Sequence, residues 1–363
     1  YRNYLIAMDI TKDTGQRFPV MVKWSDPADA GGVPLSWDET SPETQAGESL
    51  LPDTSGRVID GLALNDNFII YKADSIWSMV FTGGPLVFKF RRVFADDGIM
   101  ARDCVAEVEG RHFVVGTNDV YVHDGTSKQS ISDTKMREDF YNDIHPDYTM
   151  FVKCATHPPT SEFWIYYPSK LSTDGTCDSA WVFNWEHSVW TKRDVPDQTR
   201  FIALGFVDER PSEWWNDSDF SWDGNDEPWG QEEYASTNTD FVAVTDTQLY
   251  HMQQGILQDG LPYLTQFERT GIDFGDDHEV KYVHRITPHI VGTGTVQVEI
   301  GGEMAQNEGV YWEPAVSFEI GVDKEVDVRH SSRYLAIRFG AQSDAADFKL
   351  TGYTIELNTT GDQ

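Results

Sequence analysis

Five short strand-like runs open on phenylalanine, at Phe68, Phe113, Phe163, Phe201 and Phe241, so consecutive openings lie 45, 50, 38 and 40 residues apart. Three of them continue into the same kind of hairpin. Phe68-Ile69-Ile70-Tyr71 leads through Asp74-Ser75 to Ile76-Trp77-Ser78-Met79, and Phe113-Val114-Val115 leads through Asn118-Asp119 to Val120-Tyr121-Val122. Phe241-Val242-Ala243-Val244 leads through Asp246-Thr247 to Leu249-Tyr250. Runs rich in β-branched and aromatic residues, bounded by polar turn residues, are strand signals. A recurrence of about 40–50 residues made of such strands predicts an all-β chain with one small sheet per repeat, a β-propeller. A stack of unrelated hairpins in a sandwich gives the same spacing. One stretch favours helix: Ser132 or Asp133 caps a run through Met136 and Phe140 to Ile144, ended near Pro146.

Two segments interrupt the recurrence. Residues 24–60 carry Pro27, Gly31, Gly32, Pro34, Pro42, Gly47 and Pro52 with little apolar content, and read as a long surface excursion. Residues 208–233 hold ten acidic side chains against the single Arg210, with Trp215, Trp222 and Trp229 at intervals of seven. Gly224, Pro228, Asn216 and Asn225 argue against a helix there, so a looped insertion is expected. From about Pro262 the texture changes to strict alternation, as in Val296-Gln297-Val298-Glu299-Ile300 and Gly352-Tyr353-Thr354-Ile355-Glu356-Leu357. That pattern belongs to half-buried antiparallel strands, and about one hundred residues of it fit a compact β-sandwich. The expected division is a propeller over 1–262, with insertions at about 24–60 and 208–233, and a sandwich over 263–363.

Charge narrows the partners. The 60 Asp and Glu outweigh the 28 Lys and Arg, for a net −32 over 363 residues. A surface of that sign repels nucleic acid and acidic lipid. No apolar run reaches the length of a membrane span, and the 12 Trp, 15 Tyr and 20 Phe supply ample core-forming surface, which excludes disorder. Cys104, Cys154 and Cys177 are odd in number and lack CxxC spacing, so neither a disulfide framework nor a zinc site is expected. The chain opens at Tyr1 inside a strand-like run, Tyr4-Leu5-Ile6-Ala7-Met8, and is read as lacking its beginning.

Motifs that carry chemistry are missing from the sequence: HExxH, GxSxG, a Walker loop and a helix-opening GxGxxG. Ser221-Trp222-Asp223-Gly224 and Ser172-Thr173-Asp174-Gly175 place Gly one position too early for the Asp boxes of sialidase propellers, and read as Asx turns. Asp219-Phe220-Ser221-Trp222-Asp223-Gly224 resembles the start of a calcium loop, but Gly230 stands where the bidentate Glu belongs. No enzyme activity, metal or cofactor is therefore expected. The spaced tryptophans suit a packing contact, with sugar stacking as the alternative. Phe88-Lys89-Phe90-Arg91-Arg92-Val93-Phe94 is the one concentrated basic strand. Its plain reading is a solvated face; in so acidic a chain, its cations also suit a neighbour's carboxylates. Lys89, Arg91, Arg92, Trp215, Trp222 and Trp229 are accordingly the candidate subunit-contact residues.

Three stretches resemble the tail hub, or nozzle, proteins of short-tailed bacteriophages, including the packaged-DNA stabilisation proteins. The first runs from Asp60-Gly61-Leu62-Ala63-Leu64 through Phe68-Ile69-Ile70-Tyr71 to Trp77, followed by Thr82-Gly83-Gly84-Pro85. The second is Gly98-Ile99-Met100-Ala101-Arg102-Asp103-Cys104-Val105-Ala106, leading to His112-Phe113-Val114 and Val122-His123-Asp124-Gly125. The third joins Arg333-Tyr334-Leu335-Ala336-Ile337-Arg338-Phe339 to Gly352–Leu357. These are scaffold motifs and carry no catalytic residues. The resemblance implies a virion tail component assembled in the host cytoplasm, a propeller with a further β domain in a homohexameric ring. Such a ring contacts portal-adaptor proteins and other tail components. It retains packaged DNA and passes it during ejection without gripping it. The competing expectation is a carbohydrate-binding or glycan-degrading propeller, such as an adhesin or depolymerase.

Overall fold

The computed structural model describes residues 1–29, 31–84, 86–206, 239–252, 257–258, 260–276, 278–306 and 308–360. Strand accounts for 57% of the protein and helix for 6%, so the class is all-β. Two compact units divide the chain, Tyr1–Gln253 and Gln254–Gln363. The expected insertion at 208–233 lies outside the described residues.

The first unit is a run of antiparallel meanders. β1 (Ile6–Thr11), β2 (Arg17–Trp24) and β3 (Gly47–Leu50) form the first sheet. β3 lies inside the stretch read as a surface excursion and completes this sheet instead. Its entry is fixed by close approach: a Cβ on Gly47 would stand 2.4 Å from the Trp24 ring. β4 (Val58–Leu64), β5 (Asn67–Lys72), β6 (Ser75–Phe81) and β7 (Phe88–Ala95) form the second sheet in chain order. β8 (Val105–Val108), β9 (Arg111–Val115), β10 (Val120–His123) and β11 (Lys128–Ser130) form the third.

Helix α1 (Thr134–Asp143) follows, its N-terminus capped by Asp133, whose carboxylate accepts from Met136 N at 2.7 Å. The fourth sheet contains β12 (Lys153–His157), β13 (Glu162–Tyr167), β14 (Cys177–Asn184), β15 (Val189–Phe206), β16 (Thr239–Thr245) and β17 (Leu249–His251). β15 changes partners midway: Val189–Asp194 pair with β14, and Phe201–Phe206 pair with β16.

Successive sheets share cores, and strand alternation assigns each side chain to one of them. On β5, Ile70 joins Val22, Trp24, Val58, Trp77 and Phe88 between the first and second sheets. Its neighbours Ile69 and Tyr71 point the other way, toward Phe113, Val114 and Tyr121 of the third sheet. β13 repeats the device: Phe163, Ile165 and Tyr167 face the core that also holds Phe140 of α1. Trp164 and Tyr166 face Ile202, Phe241 and Ala243. A strand covered on both faces must be apolar throughout, which is why Phe163-Trp164-Ile165-Tyr166-Tyr167 is fully buried. The first strands lie side by side along the stack, β1 beside β4, β4 beside β8 and β8 beside β12.

The second unit opens with a short pair, β18 (Leu257–Gln258) and β19 (Leu261–Pro262), so pairing begins before the change of texture at Pro262. β20 (Leu264–Ile272), β21 (Val280–Glu303), β22 (Tyr311–Trp312), β23 (Val316–Glu319), β24 (Val326–Ser332), β25 (Tyr334–Gln342) and β26 (Ala346–Thr360) complete it. β21 serves two sheets. Its first part pairs with β24 and β26, and its last part with β25, β23 and β22. The changeover needs glycine: Gly292 at φ 144° and Gly294 at φ 99° lie so close to β26 that a Cβ would meet the Asp347 and Ala345 carbonyl oxygens at 2.1 and 2.2 Å. Val283, Ile286, Val298, Ile300, Ile337 and Phe339 then share one core between both sets of strands.

Candidate functional site

A charged row runs along the first strands of the stacked sheets. In β1 the ladder slips between Met8 and Ile10, leaving Asp9 at φ 54°, a left-handed conformation that an Asp side chain tolerates. The Asp9 carboxylate accepts from both Arg17 Nε, at 2.7 Å, and Arg17 Nη2. This two-pronged bond, with the fields of Arg57 and Arg102, holds the carboxyl below its usual range.

The next member is Asp60 in β4. Its two oxygens accept from Gly61 N at 2.8 Å and Asp103 N at 2.9 Å. Burial nevertheless pushes this carboxyl up, and the nearby Asp103 carboxylate adds to the rise. Asp103, at φ 63°, sits on the approach to β8; its carbonyl accepts from Cys154 N at 2.8 Å. Its carboxylate lies 3.7 Å from Lys153 Nζ of β12, which stands 5.2 Å over the Phe201 ring of β15. Four segments thus contribute adjacent groups: the Asp60 carboxyl, whose pKa burial raises, the ion-paired Asp103 carboxylate, the Lys153 ammonium on an aromatic face, and exposed Arg57 and Arg102. Chemically, the row offers carboxyl acceptors and cationic donors to whatever lies along it.

Sequence reasoning did not single out these residues. A signal was present: Asp9, Asp60, Asp103 and Lys153 are 51, 43 and 50 residues apart, the spacing of the hairpins themselves. Of the residues it did single out, Lys89, Arg91 and Arg92 lie exposed on β7 and are not part of this row. Trp215, Trp222 and Trp229 lie outside the described residues.

A second polar constellation is internal. Tyr71 Oη lies 2.8 Å from His112 Nδ1 and 2.6 Å from His123 Nε2, and His112 Nε2 lies 2.9 Å from the Ala63 carbonyl. Gly125 N donates to His123 Nδ1 at 3.1 Å, so the proton of this ring sits on Nε2 and donates to the tyrosine. The tyrosine then donates to His112 Nδ1, and His112 Nε2 donates to Ala63. Burial pushes both histidines down, His123 to about 3 with help from His112, and keeps both neutral. Lys72, also buried, donates to the Leu51 and Thr54 carbonyls at 2.9 and 2.7 Å and to Thr54 Oγ1 at 2.6 Å. Burial pushes its ammonium down.

Cys104, Cys154 and Cys177 are free thiols. Burial pushes all three up, Cys177 to about 12, which leaves them protonated and poor nucleophiles. Among the described residues, no group of three or more His, Cys, Asp or Glu side chains is placed to hold a metal ion. No described helix is long and apolar enough to cross a membrane. In the second unit, an open cleft of about 510 Å³ is lined by Arg269, Ile272, Phe274 and Tyr353. Another, of about 590 Å³, is lined by Tyr282, His284, Glu313, Asp327 and Arg329.

No family model and no curated protein matches the chain. Among solved structures, a chain from the S. cerevisiae dbp5 complex with nup159, gle1, ip6 and adp is similar over 93% of this protein and 86% of its own length. It has 10% identity and a TM-score of 0.31. A glycoside hydrolase is similar over 97% of this protein and 94% of its own length, with 11% identity and a TM-score of 0.26. Likenesses this slight carry no argument about fold or function.

Proposed function

We propose that the protein is a structural subunit of a short bacteriophage tail, a hub or nozzle component that forms a ring around the path of the packaged genome. In this reading each meander of the first unit is a propeller blade, with β1, β4, β8 and β12 as inner strands, and the second unit is a sandwich. The observation that supports it is where the motifs of the resemblance fall. Asp60–Trp77 makes β4, β5 and the opening of β6, while Arg102–Val114 carries the chain from the charged row into β9. Arg333–Phe339 and Gly352–Leu357 lie in and around β25 and β26. The shared residues are thus those that build the sheets in both units. The −32 charge suits a passage for a polyanion, which must let DNA slide. Negative-stain imaging of the purified protein tests the reading: a six-fold ring with an axial hole supports it, and a monomeric disc at all concentrations overturns it.

One observation favours the glycan-acting alternative. Burial pushes the Asp60 carboxyl up, and the Asp103 carboxylate lies nearby; glycoside chemistry uses such a pair of carboxyls. Release of reducing sugar from host surface polysaccharide, abolished by Asp60→Asn, would establish it.

A further inference from the structure

β7 is the last strand of its sheet, and no described strand pairs with its outer side. It presents three cations within four residues, Lys89, Arg91 and Arg92, all exposed. Their cross-strand partners on β6 are Val80, Ser78 and Trp77, which offer no charge. None of the three side chains makes a hydrogen bond or ion pair among the described residues. Six other cations of this acid-rich chain are held by carboxylates, Arg17 by Asp9, Lys23 by Glu39, Lys128 by Asp97, Arg193 by Glu162, Arg200 by Asp246 and Arg338 by Glu268, whereas β7 gathers three without such a partner on one short strand.

Geometry spreads the three charges over both faces of the edge. Phe88 and Phe90 turn toward Tyr4 and Trp24, with Phe88 at 5.1 and 5.3 Å from those rings and Phe90 at 5.9 Å from Trp24. Arg92 shares their parity, and Lys89 and Arg91 take the opposite one. The ladder slips opposite Ile76 and Trp77, leaving Val93 as the extra residue of a bulge just beyond the cations, after which pairing resumes at Phe94 and Ala95.

We infer that this edge is a docking surface for a carboxylate-rich face of a second copy of the same chain. Charge complementarity selects the occupant: the cations need anions, and a chain with 60 acidic residues supplies them in every additional copy. A basic patch meeting a different, acidic patch is a head-to-tail contact, which builds a ring where its rotation closes and an open filament where it does not. The inference rests on the ring-forming reading and assigns it one contact.

Sedimentation velocity on the purified protein, at several concentrations and at 50 mM and 500 mM salt, tests it. Self-association should weaken at the higher salt. The variant Lys89→Glu/Arg91→Glu/Arg92→Glu should weaken association at least about tenfold at low salt, since three attractions become repulsions. The neutral variant Lys89→Gln/Arg91→Gln/Arg92→Gln should fall between, and both should keep the circular dichroism spectrum of the parent. Rings that assemble equally well from the charge-reversed variant overturn the inference and leave the ring reading standing. A parent protein that stays monomeric throughout overturns both.

Discussion

Tyr71 and His123 sit on different sheets and are joined by a 2.6 Å hydrogen bond in which a neutral imidazole is the donor. Protonating the ring at Nδ1 would remove the bond this nitrogen accepts from Gly125 N, and burial holds the His123 pKa at about 3, far below the ordinary value near 6.5. Above pH 6.5 the ring is neutral in the folded and unfolded chain alike. Below that pH the unfolded chain takes up a proton that the folded one refuses, so stability falls as pH drops toward 3. Each pH unit in this window costs about 1.4 kcal/mol for this residue, and His112, depressed in the same direction, adds to the loss. Urea midpoints should therefore decline steadily from pH 7 to pH 5, and His123→Gln should flatten the decline. An unchanged slope in that variant would remove the histidine from the explanation.

Trp164 is almost completely buried, set edge-on to Phe241 at 5.4 Å, with the Arg193 guanidinium 4.9 Å from its ring centre. Replacing it with alanine should cost about 3–5 kcal/mol, the range for deleting a large core aromatic. Leu35, which is 92% exposed, should tolerate alanine with no measurable loss. Denaturant titration of the two variants reads the difference directly.

How far these features were legible in the sequence depends on what kind of residue carries them. The hairpins at Phe68, Phe113 and Phe241 could be read because aromatic openings and Asx turns are local signals. Within β21 the alternation of Val296–Ile300 is legible and not the whole strand, because Pro288, Gly292 and Gly294 interrupt the alternation before it. In the fold those residues let one strand pass between two sets of partners. β3 was missed for the opposite reason: Gly47-Glu48-Ser49-Leu50 has no strand signature, and its pairing with β2 is what makes it a strand. The charged row recurs at the hairpin spacing yet does not stand out, because Asp9, Asp60 and Asp103 are three carboxylates among 60 acidic residues, gathered only by the stacking of successive sheets.

Gly294 should be one of the least replaceable residues of the second unit. An alanine there must hold a positive φ and place its Cβ 2.2 Å from the Ala345 carbonyl oxygen, so the β21–β26 pairing has to separate. Gly294→Ala should destabilise that unit by more than about 1 kcal/mol. Gly260, also at positive φ but with nothing near its absent Cβ, should show only the backbone part of the penalty. Equal losses at the two positions would mean that strain, and not contact, governs the changeover in β21.

A passage for a polyanion works only if it does not hold it, because every phosphate contact made must be broken for the genome to move. The overall −32 charge supplies repulsion, but screening confines it to about 8 Å at physiological salt. Local groups therefore decide. The charged row along the first strands carries both signs, Asp9, Asp60 and Asp103 against Arg17, Arg57, Arg102 and Lys153, with Arg17 and Lys153 already held by carboxylates. No uninterrupted cationic track is formed there, and the cations of β7 are assigned to protein contact. Duplex DNA should accordingly bind more weakly than about 100 μM at 150 mM salt, the weak end of non-specific affinity. Fluorescence anisotropy with a labelled duplex measures this. A micromolar affinity whose salt slope falls when Arg57 and Arg102 are replaced by glutamine would mean that the row grips phosphate, and would defeat a sliding passage.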